Sequence, residues 1–255
     1  MRRATWRARL DRVLPKPLTH VVRTEHDEPT AVRRRRRRVV AATSLAGAGL
    51  LGVSLSTRPG SREFYLSTAT VAGAWTLGGL ASGPLHLGWI ETRDATIRRP
   101  VLTPVATGVG IFGFFYGAAL VSRRIPVLDA AISDVLSFAD EGDDRLVLLT
   151  TLANGLGEEV FFRGALYAAL RNHSPVLSST AVYTLATTTT RNPALVLAAA
   201  VMGGLFALQR RASGGLQAPT LTHLTWSALM LRYLPPLFRR PDAASNQRRR
   251  TSLRR

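Results

Sequence analysis

The residues best able to do chemistry stand together in the stretch Gly157-Glu158-Glu159-Val160-Phe161-Phe162-Arg163-Gly164, with apolar sequence at 146–152 before it and 165–170 after it. A charged side chain at the centre of a membrane helix costs about 2.5–3.5 kcal/mol, so three ionisable groups inside one apolar segment need a reason. Helical spacing supplies part of it. Glu159 and Arg163 stand at i and i+4, where a carboxylate and a guanidinium meet along one face. Glu158 is left without a local partner, its protonation set by burial on one side and nearby cations on the other. A carboxylate so placed can act as a general base toward water. The plainer alternative is a helix end at the membrane surface, with both glutamates in water and Arg163 reaching to the headgroups.

The remaining chemistry must use oxygen and nitrogen groups, because the chain has no cysteine and hence no disulfide, thiolate metal site or cysteine nucleophile. His223 lies near the start of the last apolar segment, and a buried imidazole either ligates a metal, hydrogen-bonds a water or simply satisfies a neighbouring helix. Thr184 and Thr187 to Thr190 form a hydroxyl-rich stretch that either bonds back to its own helix or lines a polar cavity.

These groups need a scaffold, and the chain reads as all-α, a polytopic transmembrane helix bundle. It has 255 residues, 46% hydrophobic, and a net charge of +18, with the charges mostly outside the apolar runs. A spanning helix needs about 20 apolar residues at a rise of about 1.5 Å each. Segments 39–56, 64–90, 101–121, 146–170, 176–190, 194–208 and 216–237 approach or exceed that length, and turn signals such as Arg58-Pro59-Gly60-Ser61 and Asn192-Pro193 separate them. Small residues, among them Gly47, Gly49, Gly52, Gly78 and Gly79, allow close helix approach in lipid. We therefore divide the chain into a basic irregular tail (1–38), N-terminal membrane helices (39–123), an interfacial segment with an acidic loop (124–145), a second helical core (146–237) and a basic tail (238–255). The arginine run at 33–38 precedes a membrane helix, which makes it a topology determinant that also attracts anionic lipid, at about 1 kcal/mol per residue. No aromatic platform accompanies it, so no specific nucleic acid partner is expected. Both basic tails are expected in the cytoplasm, at the plasma membrane of a bacterial cell. That requires an even number of crossings against seven candidate segments, and 125–138 is read as interfacial or re-entrant.

The run from Glu158 to Gly164 resembles the first signature of the CAAX-protease and bacteriocin-processing (CPBP, or Abi) family of intramembrane proteases, two glutamates followed by an arginine with an aromatic residue and a glycine beside it. The downstream order is similar too: His223 follows Gly203-Gly204 and Gly215-Leu216-Gln217-Ala218-Pro219. The resemblance covers about residues 146–231. It implies an endopeptidase acting on a membrane peptide or protein, with Glu158 activating water, Glu159 and Arg163 orienting it, and His223 as the partner in the last motif. Two positions depart from the pattern. The second motif's histidine falls at Thr187, four residues after Tyr183, and the polar residue expected four positions after His223 is Ser227. Since a hydroxyl is a poor zinc ligand, Glu158 and His223 are the two good ligands left for a divalent metal such as zinc, and the cofactor stays unknown. His86 is a remote substitute. The expected partners are membrane lipid and a membrane peptide or protein substrate. The competing readings are a catalytically inactive scaffold of the same fold that binds a peptide or protein, and a transport protein using the charged cluster as a polar path.

Overall fold

The computed structural model describes residues 28–91 and 96–239. The expected tails at 1–27 and 240–255, with His20 and His26, lie outside the described residues. Among those described, the secondary structure is almost wholly helical, as the apolar periodicity leads one to expect. Helices α1 (Thr30–Ser54), α2 (Arg62–Ala81), α3 (Leu102–Ser122), α4 (Pro126–Asp140) and α5 (Asp144–Glu158) come first. α5 continues without a break through a π-helical segment, Glu159–Leu166, into α6 (Tyr167–Ala169). α7 (Pro175–Thr187), a 3-10 turn at Thr188–Thr190, α8 (Pro193–Ser213), α9 (Gln217–Tyr233) and α10 (Pro235–Phe238) complete the chain. A two-residue hairpin pairs β1 (Ile90–Glu91) with β2 (Ile97–Arg98).

The helix starts follow local chemistry. Ser61 accepts from Phe64 N–H at 3.1 Å, Asp143 Oδ1 from Arg145 and Leu146 N–H at 3.0 Å each, and Asn192 Oδ1 from Ala194 N–H at 3.0 Å, each an N-cap that satisfies otherwise orphaned donors. Proline follows directly at Pro193, where a missing N–H costs nothing. At its other end α8 stops on Gly214 in the left-handed conformation. The expected span 64–90 is shorter than its apolar run, because α2 ends at Ala81. Ser82-Gly83-Pro84 breaks it, with Gly83 at φ +139° and a proline that cannot continue the helix. Conversely, helix α1 begins at Thr30, so arginines 33–38 are helical where the sequence points to an irregular tail.

Hydrogen bonds gather the loops into two ends of the bundle. At one end Arg36 donates to Ser82 Oγ at 3.1 Å and to Pro84 O at 3.0 Å, Trp89 N–H to Ser213 O at 2.8 Å, and Gln217 Nε2 to Pro100 O at 3.2 Å. At the other, Tyr65 OH receives Asp143 N–H at 2.8 Å, Asn192 Nδ2 donates to Ala131 O at 2.7 Å, and Arg239 meets Asp140 at 2.8 Å. Seven antiparallel helical rods, counting α5, the π segment and α6 as one, therefore run between the ends, and α4 lies along the second. The described chain begins at the first end and finishes at the second. Among the described residues two helices, Leu102–Ser122 and Pro193–Ser213, are long and apolar enough to cross a membrane.

The main core lies where α1, α2 and the π segment meet. Trp75 is wholly buried, its ring centroid 4.8 Å from those of Phe161 and Phe162, with Val40, Val71, Ala165 and Leu166 around it. Gly47 admits this indole: a Cβ there would stand 2.6 Å from Trp75 Cζ2, whereas one on Gly49, two residues away, meets nothing within 4 Å. Gly47→Leu is therefore expected to lower the unfolding midpoint in detergent by roughly 3–10 °C through overpacking, and Gly49→Leu to leave it nearly unchanged. Equal effects of the two substitutions would show that the indole does not set the α1–α2 contact.

Candidate active site

The charged stretch sits in the middle of the longest rod, not at a helix end in water. Glu159 and Arg163 are both completely buried, with Arg163 Nη1 3.3 Å from Glu159 Oε1. The π-helical geometry begins at Glu159, whose N–H is shared between Gly155 O and Leu156 O. Such widened turns recur at functional sites because they re-aim side chains without breaking the helix. Here every residue of the segment except Val160 is buried.

The pair is completed from other helices. His223 on α9 places Nδ1 3.0 Å from Glu159 Oε1, and its ring stacks on Phe206 of α8, centroids 4.7 Å apart at 24°. Arg163 Nη2 donates to Gly203 O at 3.3 Å, and its guanidinium lies 4.5 Å from the centre of the Tyr183 ring and 5.1 Å from that of Phe206, within reach of cation–π attraction. Arg210 Nε donates to the Arg163 carbonyl at 2.8 Å. Gly203 packs closely here: a Cβ would stand 3.1 Å from Tyr183 Cδ1, a tight contact, and 3.5 Å from Arg163 Nη2, an ordinary one.

Glu158 is half-buried and has a partner that sequence spacing could not show. The Tyr183 hydroxyl on α7 donates to its Oε2 at 2.6 Å. Tyr183 stands in the sequence as the aromatic residue of the second motif, and no local signal ties its hydroxyl to Glu158, 25 residues earlier. A Cβ on Gly155 would come within 3.6 Å of His223 Nε2. Gly155 is one helical turn before Glu158, so the imidazole's far nitrogen lies over the face that carries Glu158.

The two hydroxyl positions fall differently. Thr187 is buried and its Oγ1 donates to Tyr183 O at 2.9 Å, bonding back to its own helix as membrane threonines commonly do. Ser227 is buried on α9, one turn after His223. His86 lies on the extended stretch after α2, where its carbonyl accepts from Leu216 N–H at 2.9 Å, and His173 is exposed. Among the described residues no three of His, Asp or Glu come together in a way that could hold a metal. With the Thr187 hydroxyl engaged by its own helix, Glu158 and His223 Nε2 are two donors where a conventional zinc centre takes three or four, so the donor set does not fit one. Glu159 Oε2, Asn154 Oδ1 and Gln209 Oε1 are buried acceptors without a hydrogen-bond partner among the described residues.

Residues 145–229 match the family model described as type II CAAX prenyl endopeptidase Rce1-like, the family that the glutamate–arginine motif resembles. The match runs from the start of α5 into α9 and so contains Glu158, Glu159, Arg163, Tyr183 and His223. No match is found among curated proteins or among solved structures.

Breaking a buried pair strands the surviving charge at a cost of about 3–5 kcal/mol, whereas removing both charges is far milder. Arg163→Met is accordingly expected to lower stability in detergent strongly, and Glu159→Gln/Arg163→Met to recover most of the loss in a double-mutant cycle. A double variant as unstable as the single one would mean that the two side chains contribute independently.

Proposed function

Because residues 145–229 carry the sequence of a CAAX-protease family segment, we propose that this chain is a membrane-embedded endopeptidase whose general base is Glu158. The observation that carries the reading is the tethering of Glu158: one oxygen is held by the Tyr183 hydroxyl at 2.6 Å, which leaves the other to take a proton. In the proposed reaction a water bound between Glu158 and His223 Nε2 loses a proton to Glu158 as its oxygen bonds to the carbonyl carbon of the scissile peptide. The proton then passes from Glu158 to the amide nitrogen of the tetrahedral intermediate, the C–N bond breaks, and a carboxylic acid and an amine leave. Glu159 opposite Nδ1 holds the imidazole's orientation and places the Nδ1 proton toward itself, so that Nε2 presents its lone pair to water. Arg163 neutralises Glu159 and positions it. Thr187 supports the backbone of Tyr183, and Ser227 packs beside His223.

A membrane setting is supported by the outer surface. Leu45 on α1, Leu77 on α2, Phe114 on α3, Leu149 on α5, Leu185 on α7 and Leu197 on α8 are all exposed, a distribution suited to lipid and costly in water. The bundle is then a polytopic one, of seven crossings. Arginines 33–38, Arg98, Arg99, Arg171, Arg210 and Arg211 gather at one end, which the positive-inside bias assigns to the cytoplasm of a bacterial plasma membrane. The substrate class is a membrane-associated peptide, no narrower. Thr187, tied to its own helix, favours one other reading, a scaffold that keeps the fold and binds such a peptide without cutting it.

The deciding experiment is cleavage of a membrane-peptide library by the purified chain in bilayers. Glu158→Gln is expected to reduce the rate by about 10²–10⁴, and Tyr183→Phe to lower kcat roughly tenfold to a hundredfold with little change in KM, as loss of a hydrogen bond to a charged group implies. A chelator is expected to leave the rate unchanged. Full activity in Glu158→Gln would remove this carboxylate from the mechanism, and a wild type that cuts nothing across a broad library would favour the scaffold.

A further inference from the structure

Helix α5 is closed by the bundle on two of its faces and open to the outside on a third. A Cβ on Gly157 would stand 2.8 Å from Ala72 O and 3.3 Å from Trp75 Cβ of α2. One on Gly155 would stand 3.2 Å from Leu224 Cδ2 and 3.6 Å from His223 Nε2 of α9. Leu149 and Leu156 are exposed. The remaining face carries Asn154 and Glu158, which stand at i and i+4 and so lie one above the other. The Tyr183 hydroxyl of α7 reaches this face at Glu158. Asn154 is half-buried, yet its Oδ1 is a buried acceptor with no hydrogen-bond partner among the described residues. Glu159 and Gln209 also carry such an oxygen, but each is held through its other polar atom. Glu159 Oε1 meets Arg163 and His223, and Gln209 Nε2 donates to Thr222 Oγ1 at 2.8 Å. Asn154, by contrast, shares its helix face with the proposed base. Burying an amide oxygen without a donor is costly, which is a reason to ask what donor the working protein brings to it.

We propose that the Asn154 carboxamide holds the backbone of the peptide substrate, its Oδ1 accepting from an N–H two residues away from the scissile carbonyl. The inference rests on the endopeptidase reading for the place of the scissile bond. A membrane peptide must leave its helix to be cut, and its freed N–H and C=O groups find no water within lipid. A buried acceptor beside the base takes one of them. The spacing follows from two regular geometries. Four residues of α-helix rise about 6 Å, and two residues of extended chain cover about 6.8 Å. Successive residues of an extended chain alternate sides, so the N–H two residues on points to the same edge as the scissile group. A peptide lying along α5 with its scissile carbonyl at Glu158 thus brings that N–H to Asn154. Such a contact reads backbone and not side chain, so it selects an extended conformation rather than a sequence.

The test uses the full chain in bilayers and the membrane peptide that it cuts fastest or, where it cuts none, the one it retains most tightly. That peptide is made with its backbone amides replaced one at a time by esters, each of which removes a single N–H. Asn154→Leu is expected to keep or raise the wild-type unfolding midpoint, since it removes an unpaired polar group, and to lower kcat/KM, or retention, about tenfold. With the wild-type chain one ester, two residues from the scissile carbonyl, is expected to cost about tenfold more than its neighbours. With Asn154→Leu the same ester costs no more than they do, because the partner it would have lost is already gone. Equal ester profiles for the two chains, or an unfolding midpoint that falls in Asn154→Leu, would place the carboxamide in the fold rather than on the substrate and overturn the proposal. Cleavage with equal profiles overturns it and leaves Glu158 as the base. Retention that depends on Asn154 and on that ester position, without cleavage, upholds it and replaces the endopeptidase reading by the scaffold. A chain that neither cuts nor retains any peptide overturns both.

Discussion

The completely buried Glu159–Arg163 pair is the constraint around which the rest of the bundle is arranged. Withdrawing two charges from water costs several kcal/mol each, and their mutual attraction offsets this only when the geometry is good and the remaining donors and acceptors find partners. One helix cannot supply them. His223 comes from α9, the Gly203 carbonyl and the Phe206 ring from α8, and the Tyr183 ring from α7. The pair therefore requires three neighbouring helices at fixed depth and rotation. The glycine at 203 suits the same arrangement, since a Cβ there would press on the Tyr183 ring at 3.1 Å.

That arrangement is held from outside by a backbone clasp. The extended stretch after α2 pairs with the α8–α9 turn through Trp89 N–H to Ser213 O, Leu216 N–H to His86 O and Gln217 N–H to Leu87 O. Gly88 has φ +85°, and a Cβ on it would stand 2.5 Å from Ser213 O and 2.6 Å from Gly215 N, so the two backbones meet at a distance only glycine allows. Because α9 starts at Gln217, the clasp fixes where His223 enters the core. The break in α2 at Gly83-Pro84, which shortens that helix, releases the chain that makes the clasp.

Arg36 shows how one residue type serves two purposes within one run. Its neighbours on α1 are exposed, while its own guanidinium caps Ser82 and Pro84 at the start of the clasp and pairs with Glu28. The run is thus partly a tertiary joint and partly a basic surface, divided by the helical period of α1. In composition all six arginines are alike.

Much of this protein was legible in its sequence because it depends on short-range rules. Apolar run lengths and turn signals such as Arg58-Pro59-Gly60-Ser61 and Asn192-Pro193 place the helices, and the i,i+4 spacing of Glu159 and Arg163 places their ion pair. The charged motif in an apolar segment also pointed to the family that residues 145–229 match. What lies between helices was not legible. The hydroxyl of Tyr183 on Glu158, the turning of His223 Nδ1 toward Glu159, the engagement of Thr187 by its own helix and the burial of one arginine in six all depend on rotation and depth. Periodicity says which residues share a face of one helix. Which face meets which neighbour is decided only when buried charges and close-packed glycines must be satisfied together, and that is a property of the assembled tertiary structure.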